Sequence, residues 1–217
     1  MPRVSLSGAV AEVARRDGVM AGLMRAAGPM RLPVSRGGED GHFRELVEAI
    51  VYQQLTGKAA ETIHGRFVAL FDGSPPTPRA VLAVPEASMR AAGLSGAKTA
   101  SIKDLAMKVA DGTVPLGRVV RLPDQALIDR LTVVRGIGRW TAEMFLIFRL
   151  RRLDVWPVDD YGVRLGYRLA YGLEETPTAK ELAPLGDRFR PYRTVAAWYL
   201  WRAVHLSREG RLPNLTR

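Results

Sequence analysis

Apolar side chains recur at helical spacing along almost the whole chain. Within residues 43–54 they occupy one face of a predicted helix, at Phe43, Leu46, Val47, Ile50 and Val51. Residues 58–71 and 97–110 repeat this pattern, whereas the strict alternation typical of strands is absent. The sequence therefore predicts an all-α fold of about a dozen short helices joined by short loops.

Polar residues and proline mark where several helices should begin. Asp124 stands before an apolar pattern at residues 125–133, and Thr178 with Glu181 forms a capping box. Pro191 suits the first turn of a long C-terminal helix. These signals predict three helix starts in the second half of the chain.

Basic residues outnumber acidic ones. The 217 residues include 32 lysines and arginines against 22 aspartates and glutamates, so the formal net charge is +10. Arginines concentrate in residues 130–168 and 188–217. This surplus favours a polyanionic partner such as nucleic acid, although many basic proteins bind nothing specific.

Several kinds of site are excluded by the residue types that are missing. The chain has no cysteine, which rules out disulfides, thiolate zinc sites and iron–sulfur clusters. Its three histidines lack metal-ligand spacing, so we expect no catalytic metal. No apolar run is long enough to span a membrane, and the first residues make a poor signal peptide. We expect a cytoplasmic location, with association to the nucleoid if the source is bacterial.

A Gly-Ile-Gly turn joins predicted helices at residues 125–133 and 139–150. So tight a turn is expected to need residues without a Cβ at Gly136 and Gly138, with Ile137 packed between the helices. It would present successive backbone amides beside a helix N-terminus, where the dipole favours an anion. The alternative is an ordinary helical hairpin closed by glycines. The complete string LTVVRGIGRWTA, in a basic helical protein, favours a phosphate-binding hairpin.

Three side chains extend the predicted phosphate site. Arg139 and Thr141 lie in the first turn of the helix that follows the glycines, where they can donate to the same phosphate. Lys98 starts another helix and is a further candidate, with a solvated lysine as the equally good alternative.

Two aspartates, Asp159 and Asp160, stand where a helix beginning near Tyr161 should start. Aspartate is among the best N-cap residues, so capping accounts for at least one of them. An ionised carboxylate can also stabilise the positive charge that develops on a sugar during glycosidic cleavage. Both roles are open at this pair.

The strings VRGIGRWTA and PVDDYGVR together resemble the helix-hairpin-helix DNA glycosylase superfamily, with its Gly/Pro-rich loop and aspartate. Within it, the chain is similar to the 3-methyladenine DNA glycosylase II branch, which acts on alkylated bases. The matching features extend from Phe43 to Arg202 and include Gln53-Gln54-Leu55 and Ala197-Trp-Tyr-Leu-Trp. Some members carry an additional N-terminal β-rich domain, which we expect to be absent here.

The resemblance implies two helical lobes with a DNA-binding cleft between them. Residues 43–152 would form a six-helix lobe with a wedge loop and the hairpin, and residues 1–42 plus 153–217 the second lobe. It also implies that Asp160 is the catalytic carboxylate, while Asp159 caps the helix or supports its neighbour. Asp160 would stabilise an oxocarbenium-like state and orient the attacking water.

The identity of residue 140 bears on the type of chemistry. Bifunctional relatives such as endonuclease III use a lysine at the matching hairpin position to form a Schiff base. In this chain the position is Trp140, whose indole is not an amine nucleophile. The resemblance therefore implies base release without strand cleavage.

The pocket for a flipped base would be lined by aromatic side chains. The resemblance assigns Trp140, Trp201 and Tyr161 to it, with Met144 as a further lining residue or a core residue. An aromatic face attracts a desolvated cationic ring by about 2 kcal/mol or more. Other aromatic residues of the C-terminal helix are as well explained by a core role, namely Trp198 and Tyr199.

Leu55 would enter the minor groove as a wedge, with Gln54 beside the gap left by the flipped base. The alternative is that Leu55 turns into the core. The resemblance further implies that the backbone carbonyls of Thr132, Val134 and Gly136 hold a monovalent cation, Na⁺ or K⁺. No other cofactor is expected.

Together these features predict a monomeric, monofunctional glycosylase that removes alkylated purines, chiefly of the 3-methyladenine type, from double-stranded DNA and so initiates base excision repair. One alternative is a glycosylase for oxidised or deaminated bases, which the aromatic residues and the missing lysine disfavour. The other is a DNA-binding module without activity. It would explain the charge and the hairpin, but not Pro157-Val-Asp-Asp or the tryptophans.

Overall fold

The computed structural model describes residues 5–33 and 38–215. Within these ranges the chain forms α-helices and 3₁₀ turns without any β-strand, which confirms the predicted all-α class. The helices are α1 (Leu6–Arg16), α2 (Gly18–Ala27), α3 (Gly38–Tyr52), α4 (Gly57–Ala69), α5 (Pro78–Ala83), α6 (Glu86–Ala91), α7 (Gly96–Ala110), α8 (Asp124–Thr132), α9 (Arg139–Phe148), α10 (Tyr161–Tyr171), α11 (Ala179–Leu185) and α12 (Arg193–Arg208). Short 3₁₀ turns lie at Leu116–Arg121 and Asp187–Phe189.

The predicted helix starts are confirmed in part. Thr178 and Glu181 form the capping box, in which each side chain accepts a hydrogen bond from the other residue's amide. Asp124 was wrongly predicted as a cap: it is the first residue of α8, and the preceding proline, in an extended conformation, takes the N-cap position. A carboxylate in a first helical turn still interacts favourably with the dipole. Pro191 lies before α12 rather than in its first turn.

The chain divides into two compact units. The first comprises Met1–Leu32 with Arg151–Arg217, and the second comprises Pro33–Leu150. The predicted division placed residues up to 42 in the first group, but α3 already begins at Gly38 and belongs to the second unit. Among its described residues the second unit has seven α-helices, one more than expected, because the stretch between α4 and α7 forms two short ones.

In the second unit, α3 packs against α4, α7 and α9. Its predicted inward face is buried, and α7 contributes Ile102 and Leu105 to the same core. Ile137 is buried between α8 and α9, as predicted. Each fully buried side chain of this size contributes roughly 1.5–3 kcal/mol through removal of apolar surface from water. The hairpin is therefore anchored in the core of this unit.

In the first unit, α10 lies close against α12. A Cβ on Gly166 would lie 2.1 Å from the backbone oxygen of Leu200, so only glycine permits this approach. Trp156 is buried in the same unit, and its indole donates to the Leu182 carbonyl at 3.0 Å. None of the helices in the described ranges is both long and apolar enough to cross a lipid bilayer.

Candidate active site and DNA-binding hairpin

Two N–H donors hold the carboxylate of Asp160 at the start of α10. Its Oδ1 accepts a hydrogen bond from the Val163 amide at 2.8 Å, which makes Asp160 the N-cap of the helix. The same oxygen accepts from the indole Nε1 of Trp201, also at 2.8 Å. An ionised carboxylate only accepts hydrogen bonds, so both donors suit its charged form. The positive end of the helix dipole favours a negative charge at the same place.

This geometry changes the roles expected of the two aspartates. Asp159 was expected to cap the helix or to support its neighbour, but Asp160 is the cap and Asp159 lies exposed before it. The cause is the helix register: α10 begins at Tyr161, so the residue directly before Tyr161 reaches the amide of Val163. Capping and a catalytic carboxylate are therefore compatible in one residue. The catalytic role of Asp160 stays a prediction with a defined geometry.

The approach of Trp201 to Asp160 depends on Gly162. A Cβ on Gly162 would lie 2.9 Å from Trp201 Cδ1 and 3.1 Å from Asp160 Oδ1. The indole thus reaches the carboxylate across the bare backbone of the first turn of α10. This requirement was not visible from the sequence, because it arises between α10 and α12.

The remaining aromatic candidates of the first unit fall into two groups. Tyr161, predicted as a pocket wall, is 61% exposed beside Asp160. Tyr199 is buried, its hydroxyl donates to the Gly28 carbonyl at 3.0 Å, and Trp198 packs edge-on against it. Tyr199 is therefore a core residue, as the alternative held.

The two hairpin glycines have different structural roles. Gly136 has φ of +77°, and a Cβ there would lie 2.6 Å from Ser101 Oγ, so glycine is required as predicted. Gly138 has φ of −87°, and nothing lies within 4 Å of its Cβ position. The prediction that the turn itself needs glycine at Gly138 is therefore wrong. The absent side chain leaves open space at the start of α9.

The side chains predicted to bind phosphate are engaged by other residues of the protein or are buried. Arg139 Nε donates to Glu143 Oε1 at 3.0 Å, and its guanidinium also reaches Gln125 Oε1 at 3.4 Å. Thr141 is buried, with 8% of its surface exposed. Gly138, the N-cap of α9, has no side chain that could cap the helix. The backbone at the start of α9 is thus the best-placed part of the predicted phosphate site, and the roles of Arg139 and Thr141 stay predictions.

A cavity of about 770 Å³ lies within the second unit beside the hairpin. Trp140 and Met144, both predicted as pocket residues, line it together with Thr141 and Gly136. Trp140 is 47% exposed. Further lining residues were not singled out by the sequence and include Tyr52, Phe145, Phe148, Glu45 and Arg149. The space is thus mostly apolar and aromatic, which suits a planar heterocycle.

Gln53, Gln54 and Leu55 follow directly after α3, and we refer to these three residues as the wedge loop. Leu55 is 38% exposed, so it does not turn into the core. Gln54 is exposed with φ of 56°, a left-handed conformation that is unusual outside glycine. Gln53 Nε2 donates to the Gly136 carbonyl at 3.0 Å. The wedge loop is thereby tied to the hairpin.

Lys98 has a different role in the structure from the one predicted. Its Nζ donates to the carbonyls of Val51 and Gln53, each at 2.7 Å, and burial lowers the pKa of this ammonium group. The side chain therefore binds the end of α3 rather than extending into solvent. Contact of Lys98 with phosphate stays a prediction without support from this geometry.

Thr132 is the last residue of α8, and Val134 and Gly136 lie in the turn that follows, so the predicted cation site is at the hairpin. The Gly136 oxygen already accepts from Gln53. A carbonyl oxygen has two lone pairs, so one acceptor position remains at that oxygen for a cation. The Val134 oxygen accepts from the Ile137 amide at 3.1 Å, and binding of a monovalent ion here stays a prediction. In the described part of the chain, no cluster of histidine, aspartate and glutamate could hold a metal ion.

Comparison with known proteins identifies the family. A profile for "HhH-GPD superfamily base excision DNA repair protein" matches residues 47–191. DNA-3-methyladenine glycosylase 1 of Schizosaccharomyces pombe is 41% identical over 167 residues, which cover 76% of this chain and 73% of that protein. The structure of 3-methyladenine DNA glycosylase from the same yeast, in complex with abasic DNA, has a TM-score of 0.77 at 38% identity and covers 89% of this chain and 95% of that chain.

A second structure has the same fold. DNA-3-methyladenine glycosidase from Bacillus halodurans has a TM-score of 0.84 at 35% identity, with 93% of this chain and 91% of that chain covered. These findings confirm the resemblance predicted from the hairpin and the aspartate pair. The chain belongs to the HhH-GPD superfamily of base excision DNA repair proteins.

Proposed function

We propose that the chain is a monofunctional DNA glycosylase that hydrolyses the N-glycosidic bond of alkylated purines, of the 3-methyladenine type, in duplex DNA. The observation that carries the proposal is the Asp160 carboxylate, which the Val163 amide and the Trp201 indole fix at the start of a helix. Relatives named for 3-methyladenine support the substrate class. The product is an abasic site, which opens base excision repair.

The proposed hydrolysis depends on the negative charge of the Asp160 carboxylate. As the glycosidic bond breaks, the sugar becomes oxocarbenium-like, and a fixed carboxylate stabilises that positive charge without reorganising. A purine alkylated on a ring nitrogen already carries positive charge, so it departs without a strong general acid. Asp160 therefore serves as the single essential carboxylate, and it also orients the water that attacks C1′.

Water is the nucleophile because the hairpin carries no amine at position 140. Trp140 borders the cavity of about 770 Å³ with Met144, and its face is suited to stacking on an electron-poor base. Within the first unit, Trp201 and Tyr161 lie beside Asp160 and stay the other predicted aromatic contacts of the base. A nucleotide is extruded at a cost of a few kcal/mol, and this cost is lower for a damaged pair.

The protein binds DNA through the hairpin and the wedge loop. The open backbone at Gly138 and the start of α9 accepts a phosphate, while Leu55 occupies the gap left by the extruded base. A monovalent cation on the hairpin carbonyls would reinforce the phosphate contact. We place the protein in the cytoplasm as a monomer, in a compartment that it shares with its DNA substrate.

The test compares excision by the wild type and by Asp160→Asn. Asparagine is an equally good N-cap and keeps an oxygen for the Val163 amide and the Trp201 indole, so the substitution removes charge with little change in shape. We expect the single-turnover rate on a 3-methyladenine-type lesion in duplex DNA to fall by about 100-fold or more. Strand breaks should form only after alkali treatment.

The matched control is Asp159→Asn, which removes the same charge from the exposed neighbour. It should stay within about threefold of the wild type, because an exposed charge acts on the reacting atoms through solvent of high dielectric constant. Equal activity of Asp160→Asn and wild type would exclude Asp160 as the catalytic carboxylate. Strand cleavage by the wild type without alkali would exclude the monofunctional assignment.

A further inference from the structure

One face of α7 contacts both loops that are proposed to hold DNA. Lys98 is three residues before Ser101, and Ser101 is three residues before Asp104, so each successive pair is adjacent on the helix surface. Lys98 binds the carbonyls of Val51 and Gln53 at the wedge loop. The other two residues contact the hairpin, because Asp104 Oδ2 accepts from the Arg135 amide at 2.7 Å and Ser101 lies against Gly136.

Lys98 supplies the hydrogen bonds that the end of α3 lacks. The carbonyls of Ile50 and Tyr52 accept from the amides of Gln53 and Leu55, each at 3.4 Å. The carbonyls of Val51 and Gln53 accept from the ammonium of Lys98 instead. The last carbonyls of a helix have no partner within the helix and carry partial negative charge, so an ammonium group is well matched to them.

The wedge loop needs such support because of its conformation. Gln54 has φ of 56°, which a side chain with a Cβ adopts only where its surroundings fix it. Lys98 holds the carbonyl of the residue before it, and the Gln53 side chain reaches the Gly136 carbonyl at 3.0 Å. The loop is thus fastened on one side to α7 and on the other to the hairpin.

We infer that Lys98 is a positioning residue, which fixes the wedge loop relative to the hairpin. Leu55 is then already directed at the position that a base vacates when it leaves the duplex. The inference rests on the proposed glycosylase function, but it concerns the step of base extrusion rather than bond cleavage. Lys98 acts through Leu55 and does not touch the base. A preorganised wedge lowers the cost of ordering the loop when DNA binds.

The chain offers a matched control on the same helix. Lys103 Nζ donates to the carbonyls of Leu82 and Val84 at 2.9 and 2.5 Å, so it also binds two carbonyls at the end of a helix, but away from the wedge loop and the hairpin. Lys98→Met and Lys103→Met each remove an ammonium group and leave two carbonyls without that donor. A general loss of stability would therefore appear in both variants.

The first experiment measures single-turnover excision of a 3-methyladenine-type lesion from duplex DNA. Lys98→Met should lose about tenfold or more, and Lys103→Met should stay within about twofold of the wild type. If Lys98 acts through the wedge, the double variant Lys98→Met/Leu55→Ala should lose no more than Leu55→Ala alone. Additive losses, or equal losses in the two lysine variants, would overturn the inference.

The second experiment needs no enzymatic activity. Amide hydrogen exchange of the full chain without DNA should become faster at residues 53–57 in Lys98→Met and at residues 82–86 in Lys103→Met. Unchanged exchange at 53–57 in Lys98→Met would overturn the positioning role. Were the wild type to excise no lesion at all, the proposed function would fail, and the exchange measurement would still decide the role of Lys98.

Discussion

The indole Nε1 of Trp201, on α12, donates to Oδ1 of Asp160, at the start of α10, at a distance of 2.8 Å. The same tryptophan is a proposed wall of the base pocket. Its ring would therefore contact the base, while its N–H holds the carboxylate of Asp160. Trp201→Phe retains an aromatic ring and removes the donor. A hydrogen bond to a charged group is worth about 1.5–3 kcal/mol, so we expect excision to slow by roughly 10- to 100-fold.

The control for this prediction is Trp198→Phe. Trp198 is half-buried and packs edge-on against the core residue Tyr199, and the same chemical change there should leave the excision rate within about threefold of the wild type. Single-turnover rates with saturating enzyme would separate the chemical step from binding. If Trp201→Phe excises as fast as the wild type, the hydrogen bond to Asp160 does not contribute to the excision rate.

Gly138 allows the phosphate contact to be tested without disturbing the fold. Serine is a preferred N-cap residue, and nothing in the chain lies within 4 Å of the Cβ position of Gly138. Gly138→Ser should therefore fold with unchanged or slightly higher stability. Its side chain would, however, occupy the space proposed for a phosphate and bind the amides at the start of α9, so affinity for duplex DNA should fall by about tenfold.

Fluorescence anisotropy with a duplex that contains an abasic-site analogue would measure this loss. Thermal unfolding of the same variant serves as the control, since a lower melting temperature would indicate a structural cause. Undiminished affinity in a stable Gly138→Ser protein would show that no phosphate approaches this glycine.

The sequence predicted local features well and contacts between helices poorly. The capping box at Thr178 and the buried Ile137 follow from spacing and polarity over a few residues. Gly162 and Gly166, in contrast, are explained only by α12, which begins at Arg193, far along the chain, and packs across them. No local pattern in α10 distinguishes a glycine needed for close packing from one that is merely tolerated.

Lys98 illustrates a second limit. A lysine near a helix start in a basic protein looks like a phosphate ligand, whereas the carbonyls that it binds lie in α3 and the wedge loop, 47 and 45 residues earlier. The spacing of Lys98, Ser101 and Asp104 is visible in the sequence, whereas the groups that these side chains bind are not. Polar residues that recur at three-residue spacing along a helix are the sequence feature that indicates such contacts with neighbouring elements.

The proposed stacking role of Trp140 predicts selectivity for charged bases. Trp140→Leu keeps an apolar side chain at the cavity and removes the aromatic face. Loss of a cation–π contact of about 2 kcal/mol should slow excision of a positively charged alkylated purine by roughly 30-fold. Excision of a neutral lesion of similar shape should slow much less. Equal slowing of the two reactions would assign Trp140 a role in shape alone.

The close packing of α10 against α12 links stability to catalysis. In Gly166→Ala the new Cβ would lie 2.1 Å from the Leu200 oxygen, a backbone atom that cannot move aside by rotation. The helices must separate, which should lower the free energy of unfolding by about 3 kcal/mol or more. Trp201 directly follows Leu200, so separation should also lengthen its hydrogen bond to Asp160 and reduce excision.

Gly65→Ala provides the opposite case. Gly65 lies in the interior of α4, with nothing within 4 Å of its Cβ position, so alanine should stabilise the protein by about 0.5–1 kcal/mol through helix propensity. Urea unfolding of both variants, paired with single-turnover excision at a temperature where each is folded, would measure the two effects. If the Gly166→Ala protein is as stable as Gly65→Ala, the close contact of α10 with α12 is contradicted. If Gly166→Ala is unstable but excises at the wild-type rate, the packing of these helices does not determine the position of Asp160.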